Sequence, residues 1–288
     1  MTSSFTQSHD CHNVKRRTLF ATQCLAWTFL LLSFASSSAY AQSIYESDLS
    51  AFEVEFEVGN NLITAGTATL LLEKKSDLWH YSLMTKPRGV FKLAGKGNIS
   101  EFSTFRLISY DGKAELQPQV YQFRQDNERR RAVDASFDWA SRTIEHTYRG
   151  KSVSEPFTAP VLDRLTVTLL IMNTLRNDFQ RMELPIFDTG RIKAVEFVNT
   201  GPETLKTRLG NIETVRVVNR SATGGSRETT TWFAPSLDYL PVKIEHRKRG
   251  ELVARLSLIR MKNDDNDIQL GATLPEESDN LLDSTELK

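Results

Sequence analysis

The chain has 288 residues, in which 36 lysines and arginines are balanced by 36 aspartates and glutamates. Taken over the whole chain, that balance leaves no electrostatic footprint for nucleic acid or for an anionic membrane surface. The two cysteines, Cys11 and Cys24, sit near the amino terminus, so everything beyond them is free of disulfides, zinc–thiolate sites and cysteine nucleophiles.

The amino terminus reads as a targeting segment. Lys15-Arg16-Arg17 precedes an apolar run from Leu19 to Phe34, and Ala39-Tyr40-Ala41 offers a small-residue cleavage site. The expectation is a cleaved secretory leader over residues 1–41 and a mature chain beginning at Gln42. Arg16-Arg17-Thr18-Leu19-Phe20 has a twin-arginine look, but the strongly apolar stretch behind it favours the general secretory route. Loss of Lys15, Arg16, Arg17 and Asp10 with the leader tips the mature chain to a slight acidic excess. An exported chain of this size without a disulfide points to a bacterial periplasm. On that reading, Asn98-Ile99-Ser100 and Asn219-Arg220-Ser221 are chance matches to the glycosylation pattern.

From Ala51 to Val58, Phe52, Val54, Phe56 and Val58 alternate with Glu53, Glu55 and Glu57, the pattern of a half-buried antiparallel strand. Gly59-Asn60-Asn61 turns the chain into a second arm, Ile63–Glu73, and Trp79–Thr85 keeps the same period. Lys86–Asn98 has three glycines, one proline and no clean period, so it reads as a mobile loop. Strands are expected again over Ile99–Ser109, Val120–Arg124, Ala132–Asp138 and Thr143–Tyr148, with a turn at Asp111-Gly112 and a charged turn around Asn127. Gly150–Pro160 leads into Val161–Phe179, where Leu162, Leu165, Leu169, Met172, Leu175 and Phe179 recur three or four apart. That spacing places them on one face of a helix, with Asp163 as its N-cap. Leu165–Leu169 also alternates like a strand, but the period outlasts strand length.

Beyond the helix, Arg191–Asn199, Glu203–Leu209, Ile212–Arg220, Glu228–Ala234, Val242–Arg249 and Glu251–Met261 read as strands of a meander. Acidic residues dominate from Asn263 to Lys288, which reads as a disordered tail. The expected fold class is therefore mainly β. A curved antiparallel sheet or open β-barrel wraps around one main helix, within a single β-rich domain over residues 42–262. Such a shape often encloses an apolar cavity.

Three motifs carry a resemblance: Phe137-Asp138-Trp139, Asp163-Arg164-Leu165-Thr166, and Trp232-Phe233-Ala234-Pro235 followed by Leu240-Pro241-Val242-Lys243-Ile244. In order and spacing they resemble the exported bacterial proteins grouped as domain of unknown function 3108, over roughly residues 45–261. The resemblance implies a mainly antiparallel β fold in the periplasm of a Gram-negative bacterium and brings no catalytic residues with it. More loosely, the architecture looks like the open barrels of periplasmic lipoprotein carriers.

Enzyme signatures are sparse. His80, His146 and His246 stand alone on strands, without metal-ligand spacing, and read as half-exposed strand histidines. There is no G-x-S-x-G elbow. Gly89–Gly97 fails as a phosphate loop because the glycine spacing is wrong and Gly97 follows Lys96 where Ser or Thr is required. Glu53/Glu55 and Asp264/Asp265 read as solvated carboxylates. Arg129-Arg130-Arg131 and Lys243 with Arg247-Lys248-Arg249 read as solvated surface, since alternate strand residues point apart. The expectation is a protein without a cofactor, a metal or a catalytic residue, making no stable membrane insertion once its leader is removed. It would hold an apolar ligand or a lipidated protein. Val90, Phe91 and Leu93 of the glycine-hinged loop would touch that ligand, and Arg88 or Lys92 would reach an acidic head group. The alternative is a structural or assembly factor that contacts envelope proteins through a strand edge or the acidic tail.

Overall fold

The computed structural model describes residues 43–44, 49–60, 62–94, 97–110, 113–207, 210–263 and 267–269. The expected leader and the turn at Asp111-Gly112 lie outside them. The first half runs β1 (Ser43–Ile44), β2 (Phe52–Gly59), β3 (Thr64–Lys75), β4 (Leu78–Pro87), α1 (Gly89–Leu93), β5 (Ile99–Tyr110), β6 (Lys113–Gln125), β7 (Val133–Asp138), β8 (Thr143–Tyr148) and β9 (Lys151–Pro156). It continues through β10 (Leu162–Asp163), α2 (Thr166–Leu175), β11 (Arg181–Phe187), β12 (Ile192–Thr207), β13 (Gly210–Ser221), β14 (Arg227–Ala234), β15 (Leu240–Lys248), β16 (Glu251–Asn263) and β17 (Asp267–Gln269).

Two antiparallel meanders, β2 to β9 and β11 to β16, join through β2 and β16, where Phe56 lies opposite Leu258. β10 adds a short parallel pair, Leu162 to Ile186 and Asp163 to Phe187. A flat sheet of the fifteen strands β2 to β16 would be about 70 Å wide at the usual strand spacing. Yet Phe56 on β2, Phe105 on β5, Leu116 on β6, Phe197 on β12 and Val217 on β13 share one core with Leu169 and Ile171 of α2. A helix of ten residues is only about 15 Å long, so the sheet must curl around it. The expected fold class, a curved open sheet around one main helix, is the one observed, and the sheet does not close on itself.

The helix differs from its expected form in extent and in burial. It spans Thr166–Leu175 rather than 161–179, because Leu162–Asp163 is drawn into the ladder with β11. The expected face is buried, but so are Val167, Leu170, Ile171 and Asn173 on the remaining sides. Sheet surrounds this helix, so it is not amphipathic; its side chains fill the interior in which an apolar cavity was expected.

Other boundaries also move. Arg181–Phe187 and Lys151–Pro156 are strands that the sequence pattern did not mark. Arg191–Asn199 and Glu203–Leu209 form one strand, β12, whose bulge at Thr200-Gly201 is held by the Asn199 side chain accepting from Gly201 N–H at 2.9 Å. Part of the expected disordered tail is ordered: Asp267–Gln269 pairs with Arg260–Lys262. The rest of that tail, 264–266 and 270–288, lies outside the described residues. Gly89–Leu93 is a helical turn where a mobile loop was expected. His146 is buried rather than half-exposed, 5.2 Å from the Phe187 ring.

Candidate functional site

α1 is set by its entry. Pro87 ends β4 without an N–H to donate, Arg88 N–H still reaches Ala65 O at 2.8 Å, and Gly89 then takes a left-handed φ of 52° that swings the chain out of the sheet. The return is equally specific. A side chain at Gly97 would meet Asp126 Cβ at 2.2 Å, so only glycine lets this segment lie against the β6–β7 turn. There the Asp126 carboxylate accepts from Asn98 N–H and Asn98 Nδ2, each at 3.1 Å, and Asp126 N–H donates to Asn98 O at 2.9 Å.

Between α1 and that turn opens a cleft of about 1380 Å³. Its floor is the outer face of the sheet, since Ser100, Arg124 and Asp134 alternate with the inward Glu101, Phe123 and Val133. Lys86, Arg88, Lys92, Arg124 and Arg129 line it, against the carboxylates of Asp126 and Asp134. Both carboxylates are already engaged, Asp126 with Asn98 and Asp134 with Arg124 and Gln122. The side chains of Lys86, Arg88, Lys92 and Arg129 have no hydrogen-bond or ion-pair partner among the described residues. Five cations face two carboxylates across this concave space, so their fields leave a net positive potential there.

Of the five residues expected to meet a ligand, Arg88 and Lys92 line this cleft, whereas Val90, Phe91 and Leu93 do not. Val90 is 63% exposed and Leu93 87%, both on α1 beside the cleft. Phe91 is half-buried. Lys86 and Arg129 escaped assignment because they lie in different hairpins and only the register brings them together. The signal available is the Arg129-Arg130-Arg131 run, whose expected reading as solvated surface rests on strand alternation. Arg129–Arg131 is instead a single 3-10 turn, where the alternation that scatters strand side chains does not apply.

A second polar assembly lies inside, at the start of α2. Asp163 is fully buried and accepts from Leu165 N–H at 2.8 Å, Thr166 N–H at 2.9 Å and the Ser103 hydroxyl at 2.6 Å. Thr166 Oγ1 accepts from Asp163 N–H at 3.1 Å, which completes a reciprocal capping box. Asp163 thus caps as the sequence implied, although the helix begins two residues later than a simple N-cap would give. Arg164 donates to Glu101 through Nε at 3.0 Å and Nη2 at 2.6 Å, and the Tyr121 hydroxyl donates to the same carboxylate at 2.7 Å. The Asp163-Arg164-Leu165-Thr166 motif therefore has a physical account: it pins the helix start to β5 and β6. Burial pushes the Asp163 carboxyl up to about 6, against the bonds from Ser103, Thr166 and Leu165 that hold it down. Burial likewise raises the Tyr81 and Tyr121 phenols, helped by the nearby carboxylates. Every polar group of the Asp163 cap is spent on structure, so this assembly is an anchor and the cleft is the candidate site. Among the described residues no cluster of histidine, cysteine and carboxylate side chains could hold a metal ion.

Residues 51–257 match the family described as Protein of unknown function (DUF3108). No curated protein matches the chain. A beta-barrel-like protein of domain of unknown function DUF1849 from Brucella abortus is similar in fold: TM-score 0.51 at 9% identity, covering 76% of this chain and 99% of that one. A protein with a YmcC-like fold from Bacteroides fragilis aligns at TM-score 0.30 and 9% identity, with the same coverage of 76% and 99%. A protein of Parabacteroides distasonis aligns at TM-score 0.28 and 10% identity, again over 76% and 99%.

Proposed function

The chain belongs to the DUF3108 family, and on that premise we propose that it is an exported, non-catalytic binding protein of the bacterial periplasm that takes an acidic amphiphile at the α1 cleft. The leader pattern of residues 1–41 supports the address. The observation that carries the ligand class is the convergence of Lys86, Arg88, Lys92 and Arg129, without acidic partners, on one cleft beside exposed Val90 and Leu93. A phosphate-bearing head group fills the basic concavity, where arginine can bind it through two parallel hydrogen bonds. The acyl portion lies across α1, outside the sheet, because the interior is taken up by α2. This keeps the expected acidic head-group contact of Arg88 and Lys92 and moves the apolar contact from an enclosed cavity to an open helix.

Calorimetry with a short-chain, water-soluble phosphatidylglycerol and the matching phosphatidylcholine tests the reading. The anionic lipid should bind and the zwitterionic one should not. The double variant Arg88→Ser/Lys92→Ser should weaken binding by about tenfold, or about 1.4 kcal/mol. Equal affinity for the two lipids, or a double variant that binds like the parent, would remove the cleft from consideration.

A further inference from the structure

Strand direction decides which turns share an end of the sheet. β2 ends at Gly59 opposite Arg255 near the start of β16, and antiparallel alternation from there sends the turns β2–β3, β4–β5, β6–β7, β8–β9, β11–β12, β13–β14 and β15–β16 to one rim. Besides Arg88 and Lys92, these turns carry Arg129, Arg130, Arg131, Arg149, Arg191 and Arg249, all exposed. Their acids are Asp126, Glu128 and Asp188. Asp126 is held by Asn98, and Asp188 by Lys193 at 2.6 Å. Among the described residues the turns of the opposite rim are balanced, with Arg142 and Arg176 against Asp77, Asp178 and Asp238. Among the described turns, therefore, the excess of cations lies at one end of a chain that is neutral in sum.

The basic rim also shows apolar side chains to solvent. Leu62 is 89% exposed and Ile63 49% at the tip of the β2–β3 turn. The turn is fixed by the Asn60 side chain, which accepts from both N–H groups at 2.8 and 3.0 Å. Val90 and Leu93 stand on the next turn, and Val253, 60% exposed, is the bulged residue where β16 slips its register with β15. Arginines spread across several turns, with leucines and valines among them, make the combination that interfacial binding uses: Coulomb attraction to anionic head groups plus shallow apolar burial.

We propose that this rim is a docking surface for an anionic lipid bilayer. The arginines meet head-group phosphates, while Leu62, Ile63, Val90 and Leu93 enter the interface. The α1 cleft then opens beside the layer that holds its ligand. The proposal does not need that ligand, since Arg149, Arg191 and Arg249 do not line the cleft.

Co-sedimentation of the full chain with vesicles of phosphatidylcholine alone, or of equal parts phosphatidylcholine and phosphatidylglycerol, tests it. The parent should prefer the anionic vesicles and detach as salt rises. The variant Arg149→Asn/Arg191→Asn/Arg249→Asn uses asparagine because Arg149 and Arg249 sit at a φ of 54° that asparagine tolerates. It should weaken vesicle binding by about a hundredfold and leave binding of soluble phosphatidylglycerol unchanged. The variant Lys75→Asn/Arg142→Asn/Lys206→Asn removes as many charges from the opposite end and should bind vesicles like the parent. Leu62→Ser/Leu93→Ser alters only solvent-facing side chains, so it keeps the fold and should also weaken binding. Equal losses for the two charge variants, no preference for anionic vesicles, or retention on heparin but not on vesicles would overturn the proposal. Arg88→Ser/Lys92→Ser removes two rim cations along with the cleft's, so it should lose soluble-lipid binding and weaken vesicle binding no more than the Arg149/Arg191/Arg249 variant does; complete loss of vesicle binding in it would overturn a rim that acts beyond the cleft.

Discussion

Replacing Arg164 by Met is expected to destabilise the domain by about 3 to 5 kcal/mol, the largest single-residue effect anticipated here. The Arg164 side chain is itself 44% exposed, so its own burial is not where the effect arises. The loss falls on Glu101, whose side chain is 3% exposed and takes two charge-assisted bonds from Arg164 and one from Tyr121. Without the guanidinium, a carboxylate stays in the core with a single phenol donor, and unpaired buried charge is what such sites tolerate least. The double variant Glu101→Gln/Arg164→Met should be markedly more stable than the single one, because it removes both charges. Urea unfolding of the three proteins measures this. A single variant within about 1 kcal/mol of the parent would show that the pair behaves like a surface salt bridge, and the pin would not exist.

The second large effect is a pH dependence at Asp163. The unfolded chain releases this proton near 4, whereas burial holds the folded group at about 6. Between these values the folded state binds more protons than the unfolded one. Stability from this group is therefore fully present below about pH 4, declines as pH rises towards 6, and is constant above. The difference of about two units corresponds to about 3 kcal/mol. Asp163→Asn keeps the acceptor for Leu165 and Thr166 and carries no charge to bury. It should match the parent near pH 4 and exceed it by about 3 kcal/mol at pH 8. Glu245 works in the opposite direction. Although burial alone would raise it, bonds from Lys243, Arg247 and Arg255 hold its carboxyl down to about 2, so its contribution exists above 4.5 and fades as pH falls through 2. Unfolding midpoints of parent and Asp163→Asn from pH 4 to 8 isolate the first group, because Glu245 is common to both. A gap that does not widen with pH would refute the assignment.

Much of the fold could be read from local pattern. The alternation in Phe52–Val58 marks β2 because one face of that strand is core and the other is water, so the buried set repeats every second residue. Where that asymmetry is missing, the pattern is silent. β9, Lys151–Ser154, is exposed on both faces and shows no apolar residue at a regular period. β11 carries Pro185 in its middle, a signal that ordinarily argues against a strand. β6 was visible only from Val120, because Pro118 sits where the register with β5 slips at Phe105. Gly201-Pro202 has turn composition, yet the strand continues through it with a bulge at Thr200-Gly201, a distinction made by pairing with β13.

The site was less legible than the fold. Arg88 and Lys92 could be suspected from a glycine-rich segment that carries charge. Lys86, Arg129 and the Asn98–Asp126 contact could not, since they meet only through the lateral register of β4, β5 and β6. Likewise Glu101 and Arg164 are 63 residues apart, and nothing local announces their pairing.

By itself the sequence determined the strand-rich class, the one long helical period, most of the turn positions and the absence of thiols beyond the amino-terminal segment, because each follows from neighbours within a few residues. Tertiary structure alone decided that the helix is enclosed on all sides, that the interior is filled, and that the cations gather in one cleft and along one rim. Those outcomes depend on which strands run side by side and in which direction. Composition averages that information away: a neutral total conceals a basic end.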